Sequence, residues 1–203
     1  MSTGRTFHQE VDLAAVVGQF LINTRAEDLP IELVQNELDA GSSCTEVTFG
    51  EDAIVCQGDG ESVDEIGWER LRKFLGAGGA VAAKADGIGV KNHGLRTGFQ
   101  IGDEIIVQSG GWRIELTLYQ NKRLRKFDPG TWSRVEDPAA PRVGARITIP
   151  YRHKGLNVPS GEGFSLPEMS PDRIRSLYEQ FLEEIPERFL SAVAPTKNEI
   201  VCG

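Results

Sequence analysis

Leu13, Val16, Val17, Phe20 and Leu21 recur at helical spacing with polar residues between them, which predicts an amphipathic helix over residues 7–23. The polar stretch 24–28 interrupts it. A second helix is expected from there to Ala40, with Pro30 in its first turn, where a missing N–H is harmless, and Gly41 as its C-terminal cap. Two β-like runs, 46–49 and 53–56, flank Gly50, Glu51 and Asp52 and predict a hairpin. A helix over 63–75 follows. Residues 76–89, dominated by Gly and Ala, cannot build a core and read as a flexible loop.

Farther on, a short helical stretch near 95–101 precedes a strand over 103–108. Trp112, Ile114, Leu116 and Leu118 then alternate with polar residues, and Gly110-Gly111 marks the hairpin between the two runs. Residues 121–142 are polar, Pro-bearing and irregular. Residues 146–151, with Ile147 and Ile149 on one face, are expected as the last strand, followed by a Gly- and Pro-rich loop to 168. Ser170 as N-cap and Pro171 in the first helical position open a final helix, about 171–192, whose stripe is Ile174, Leu177, Phe181 and Ile185; Pro186 should end or kink it. The pattern implies an α+β fold: a two-layer sandwich with a mixed, mostly antiparallel sheet and helices on one face, in a single domain over 1–203 with its core at about 12–151.

Composition narrows the function classes. A net charge of −8 argues against a surface built for nucleic-acid phosphates, and the basic run 122–126 reads as a solvated strand end. The three cysteines lack the paired short spacings of a zinc site or disulfide scaffold and read as reduced thiols. No segment has the apolar length of a membrane span and no signal peptide is evident, so the cytoplasm is the default expectation.

Glu32, Asn36 and Asp39, at i, i+4 and i+7, project from one face of the second helix, while Ile31, Leu33, Val34 and Leu38 point elsewhere. A carboxylate, a carboxamide and a second carboxylate on one face could ligate a hard cation and activate water. Spacing alone favours the plainer reading, a solvated polar face.

The order of several segments adds a resemblance. Glu32-x-x-x-Asn36-x-x-Asp39-Ala40 resembles the N box of the GHKL ATPases, the superfamily of DNA gyrase B, ninety-kilodalton heat-shock chaperones, histidine kinases and MutL. Ile54 to Gly60 is similar to that family's strand and Gly-x-Gly turn at the adenine, here Gly58 and Gly60. Residues 76–84, ending in Ala83-Lys84, resemble the start of the nucleotide lid, and 88–98 resembles the second glycine box leading into a helix. Residues 143–149 are like the strand that closes the site. No P-loop is present.

The resemblance implies an ATP-binding domain with slow, Mg²⁺-dependent hydrolysis that drives a lid or dimer switch in a larger system. The alternative is a degenerate nucleotide-binding or interaction module without turnover. Glu32 would be the general base, Asn36 the Mg²⁺ ligand, and Asp39 a water-mediated purine contact. Amides from Gly89 to Gly94 would cradle the phosphates, with Asn92 where relatives have Gly and His93 inside the box. Lys84, Lys91 and Arg96 are candidate phosphate partners. On the adenine side, Cys56 stands where relatives have Asp and Ala145 where they have Thr, losses that together weaken binding about 10²- to 10³-fold. Asp59 could replace that Asp only if the register slips. The expected partners are a nucleotide and a second copy, further domain or partner protein, with no direct nucleic-acid or membrane signal.

Overall fold

The structure is a computed structural model that describes residues 13–72, 94–131, 133–159, 164–189 and 199–202. α1 (Leu13–Ile22) sinks Val17 and Leu21 into the core and leaves Val16 facing out, a narrower stripe than the sequence pattern allows. A 3-10 turn (Ala26–Asp28) leads into α2 (Leu29–Asp39), with Pro30 in the first turn as expected. Gly41, at a φ of 73°, donates its N–H to the Leu38 carbonyl at 2.9 Å and closes α2 in the left-handed conformation that glycine adopts without penalty.

β1 (Cys44–Phe49) and β2 (Ala53–Gly58) form the predicted hairpin, and α3 (Glu65–Arg72) buries Trp68. A 3-10 helix (Leu95–Gln100) precedes β3 (Glu104–Ser109), which turns into β4 (Trp112–Thr117) through Gly110 and Gly111, both at positive φ, as a tight hairpin requires. The segment expected to be irregular contributes two short strands, β5 (Gly130–Thr131) and β6 (Val135–Glu136), both laid along β4. Its Arg134 covers the rings of Trp68 and Trp112, with centroids at 5.7 and 4.6 Å. β7 (Ala145–Pro150) follows.

β7 is not the last strand. β8 (Leu156–Val158) and β9 (Phe164–Leu166) pair as a separate hairpin within the stretch expected to be a loop. After α4 (Pro171–Phe189), β10 (Glu199–Cys202) lies parallel to β1. The main sheet runs β10–β1–β2–β7–β3–β4–β5, with every other pairing antiparallel. Short strands escape notice in a sequence because their pairing depends on distant partners instead of a local period. α4 starts as predicted, with the Arg173 N–H donating to Ser170 Oγ at 3.4 Å, but it continues through Pro186 instead of ending there. Proline removes a single ladder donor, and the turns on either side keep theirs.

The alternation along the strands separates two layers. Val47, Ile54, Cys56, Val107, Ile147 and Ile149 face the core, on which α2 packs with Leu33 and Val34. On the opposite face polar side chains pair with each other: Arg146 Nε donates to Gln57 at 2.8 Å, and Gln108 to Asp137 at 2.7 Å. Just past the Pro150 end of β7, Arg152 is fully buried. Its guanidinium donates to Asp103 at 2.6 Å and to the carbonyls of Phe99, Gly102, Gln100 and Pro167. Asp103 also accepts from Tyr119 and Arg125.

Candidate functional site

Two glycine contacts assemble the Ala145 end of β7. Gly144, at a φ of 75°, brings its backbone against Gly58: a Cβ built on it would lie 2.0 Å from the Gly58 carbonyl oxygen. Ala145 pairs with Gly58 on one side and Ser109 on the other, and Ser109 Oγ fixes the approach by donating to the Gly144 carbonyl at 2.6 Å. A Cβ on Gly60 would fall 2.6 Å from the Ala40 carbonyl oxygen, so the 58–60 turn also sits on the C-terminus of α2. In addition, Gly94 rests on Glu32, whose Oε2 would lie 2.2 Å from a Cβ at position 94.

Glu32, Asn36 and Asp39 all lie half-buried along one margin of α2, as the spacing predicts. Glu32 reaches the end of the glycine segment through Gly94. The element that opens there is a six-residue 3-10 helix, close to the short helical stretch expected near 95–101. Arg96 on that element sits over the Phe20 ring at 5.9 Å, and burial lowers its pKa from the ordinary arginine value. Lys84, Gly89, Lys91, Asn92 and His93 lie outside the described residues, as does the expected lid loop.

Cys56 and Ala145, the positions expected on the adenine side, lie on the paired strands β2 and β7, Cys56 opposite Ile147 and Ala145 opposite Gly58. Cys56 is fully buried on β2, and desolvation, followed by the nearby Glu37 carboxyl, pushes its thiol far above the usual range, so it behaves as a small apolar group. Asp59 is spent elsewhere. Its carboxylate accepts from Ser43 Oγ at 2.5 Å and from the amides of Ser43 and Cys44 at 2.7 and 2.9 Å, with Ser42 Oγ at 2.8 Å. These bonds hold it well below the ordinary carboxylate range and clamp the 42–44 turn to the end of β2.

Sequence reasoning passed over Glu37. It is 3% exposed, and its Oε2 occupies the space that a side chain at Gly58 would fill, 2.0 Å from a built Cβ. Among the described residues that oxygen has no hydrogen-bond partner. Burial, then the charge of Asp59, raise the carboxyl from 4.5 to about 7. A buried carboxyl oxygen without a donor costs about 1–3 kcal/mol, and more when ionised. The signal was present in the sequence: Pro30, Leu33 and Val34 are buried, and position 37 completes that i, i+3, i+4, i+7 face.

A cavity of about 350 Å³ lies at the opposite end of β7, lined by Tyr119, Arg125, Tyr151 and Arg152 among others. Its principal charges are engaged with one another: Asp103 with Arg125 and Arg152, and Glu104 with Lys122. Among the described residues, Cys44 and Cys56 are unpaired thiols, no cluster of three or more His, Cys, Asp or Glu side chains forms a metal cage, and no helix is long and apolar enough to cross a membrane.

No protein-family model matches the chain, and none of the curated proteins matches it. Among solved structures it is similar to the N-terminal domain of a DNA repair protein, at 16% identity and a TM-score of 0.46. That likeness covers 89% of this chain and 47% of the other, so this chain spans about half the length of that neighbour.

Proposed function

We propose that this chain is a nucleotide-binding domain of the GHKL type, which takes ATP with Mg²⁺ along the seam between α2 and the Gly58–Ala145 end of the sheet and hydrolyses it slowly to drive a lid or dimer switch in a larger system. The observation that carries the reading is the contact of Glu32 with Gly94, where a Cβ would come within 2.2 Å of the carboxylate oxygen. Two segments far apart in sequence, one bearing a base and the other ending a glycine run, meet where only a residue without a side chain fits.

In this reading Glu32 orients the attacking water and accepts its proton. The Asn36 carboxamide offers one neutral oxygen to a hard cation, which suits Mg²⁺ when phosphate oxygens complete its shell. Asp39, at the far end of the same margin, reaches the purine side through water. Bound Mg²⁺ supplies charge neutralisation on the phosphate oxygens.

Turnover measured with and without Mg²⁺ tests the proposal. Glu32→Ala should lower the rate by about 10²- to 10⁴-fold, and a wild-type rate no higher than the variant's would overturn hydrolysis. Stabilisation by a non-hydrolysable ATP analogue without turnover would favour the second reading, a nucleotide-dependent switch, which the absence of a carboxylate at Cys56 and of a hydroxyl at Ala145 supports. If no nucleotide raises the melting temperature, binding itself is refuted.

A further inference from the structure

We infer that Glu37 is the side chain that reads the purine, accepting a hydrogen bond from an exocyclic amine at the seam where Cys56 and Ala145 have nothing polar to offer. The inference rests on the nucleotide-site reading above and names the group that sets its base specificity.

Glu37 Oε2 is 97% enclosed with its residue, yet no protein donor reaches it among the described residues. The donors nearby are committed: the hydroxyl of Ser43 and the amides of Ser43 and Cys44 all serve Asp59, and the Ser42 hydroxyl lies between Asp59 and the Cys44 carbonyl. Buried polar atoms without partners are rare in folded proteins, and one placed at a candidate ligand seam points to a donor that arrives with the ligand. The floor beside it is apolar, formed by the fully buried Cys56 and by Ala145.

The position is also built for reach. Gly58 has no side chain, and its vacant Cβ direction is where Oε2 lies; any larger residue there would displace the carboxyl. The carboxyl delivered from α2 in this way lies against β2 at Gly58, the strand position paired with Ala145 of β7, so a flat heterocycle seated there with an amine on its edge would supply the missing N–H. Adenine and guanine nucleotides share this chemistry.

The test is a set of calorimetric titrations of the full chain with Mg²⁺ and four ligands: non-hydrolysable analogues of ATP and GTP, purine riboside triphosphate, which lacks the exocyclic amine, and inorganic triphosphate, which lacks a base. Glu37→Leu should weaken the preferred aminopurine nucleotide about 10- to 100-fold, the loss of one hydrogen bond to a carboxyl, and leave inorganic triphosphate unchanged. Glu37→Gln, which keeps an acceptor, should lie between wild type and Glu37→Leu. Cys56→Asp in the Glu37→Leu background should restore much of the loss. Wild type alone should favour the aminopurine over purine riboside triphosphate by about tenfold, a measurement that needs no variant to fold. The relative strength of the ATP and GTP analogues tells which amine is read.

Equal binding of wild type and Glu37→Leu, or no discrimination by wild type against the amine-free purine, overturns the inference while leaving the nucleotide site standing. So does an equal loss of nucleotide and inorganic triphosphate in Glu37→Leu, which would place Glu37 in the fold instead of the base pocket. Failure of wild type to bind any of the four ligands removes the nucleotide site and this inference with it.

Discussion

The two ends of β7 carry buried charge in opposite ways. At the Pro150 end, the Arg152 side chain has no exposure and gives its guanidinium to one carboxylate and four carbonyls, and Asp103 in turn accepts from three side chains. At the Ala145 end, Glu37 is almost as buried, yet one of its carboxyl oxygens meets no donor among the described residues. A charge with every polar atom engaged braces the loops it joins. A carboxyl left short of partners costs stability, so packing alone gives no reason to keep it.

Breaking the braced end should have the largest effect. Arg152→Met leaves Asp103 without its most buried cation and four carbonyls without a donor, and it is expected to cost about 3–5 kcal/mol, read as a fall in the urea midpoint. A loss below about 1 kcal/mol would mean that solvent replaces those bonds freely, and the contrast between the two ends would vanish.

Substitution at the other end should act with the opposite sign. Because the folded carboxyl of Glu37 titrates at about 7 against 4.5 for the ordinary group, the folded chain holds that proton across a window where the unfolded chain has released it. The associated stability is fully present below about 4.5 and is lost as the pH rises through about 7. Glu37→Gln cannot ionise, so it should be more stable than wild type by up to about 3 kcal/mol near pH 8 and should lose that advantage near pH 4. Unfolding curves at the two pH values decide the matter; a difference independent of pH would assign the effect to packing.

The smallest expected effect sharpens the picture of the seam. Gly58→Ala places a Cβ 2.0 Å from Glu37 Oε2, and overpacking of this kind costs about 1–3 kcal/mol. The obstacle is mainly the end of a side chain, so the same substitution in a Glu37→Ala background should cost clearly less. A double-mutant cycle that shows simple additivity would mean that the two positions do not meet.

Much of the fold could be read locally. The Gly110-Gly111 hairpin, the Gly41 cap and the Ser170-Pro171 helix start each depend on a few neighbouring residues whose backbone preferences leave little choice. β8, β9 and β10 were not legible, because strands of three or four residues carry no usable period and gain their hydrogen bonds from elements distant in sequence. The candidate site divides in the same way. The common margin of Glu32, Asn36 and Asp39 follows from the pitch of a helix, whereas the contact with Gly94 required the chain to close on itself. Asp59 reads in the sequence as a turn residue that could serve the adenine side only if the register slipped, and its four-fold engagement with residues 42–44 is a tertiary fact. Glu37 was hidden by its chemistry: a glutamate on a helix is presumed to face water, and here the buried face outweighs that presumption.

The near-touching backbones of Gly58 and Gly144 have a consequence for how this region can change. Segments that contribute bare main chain leave the character of the seam beside them to whatever leans in from α2, here the Glu37 carboxyl. One codon on that helix can therefore alter the chemistry beside Gly58 without moving a rung of the β2–β7 ladder, so side-chain character and architecture can drift separately.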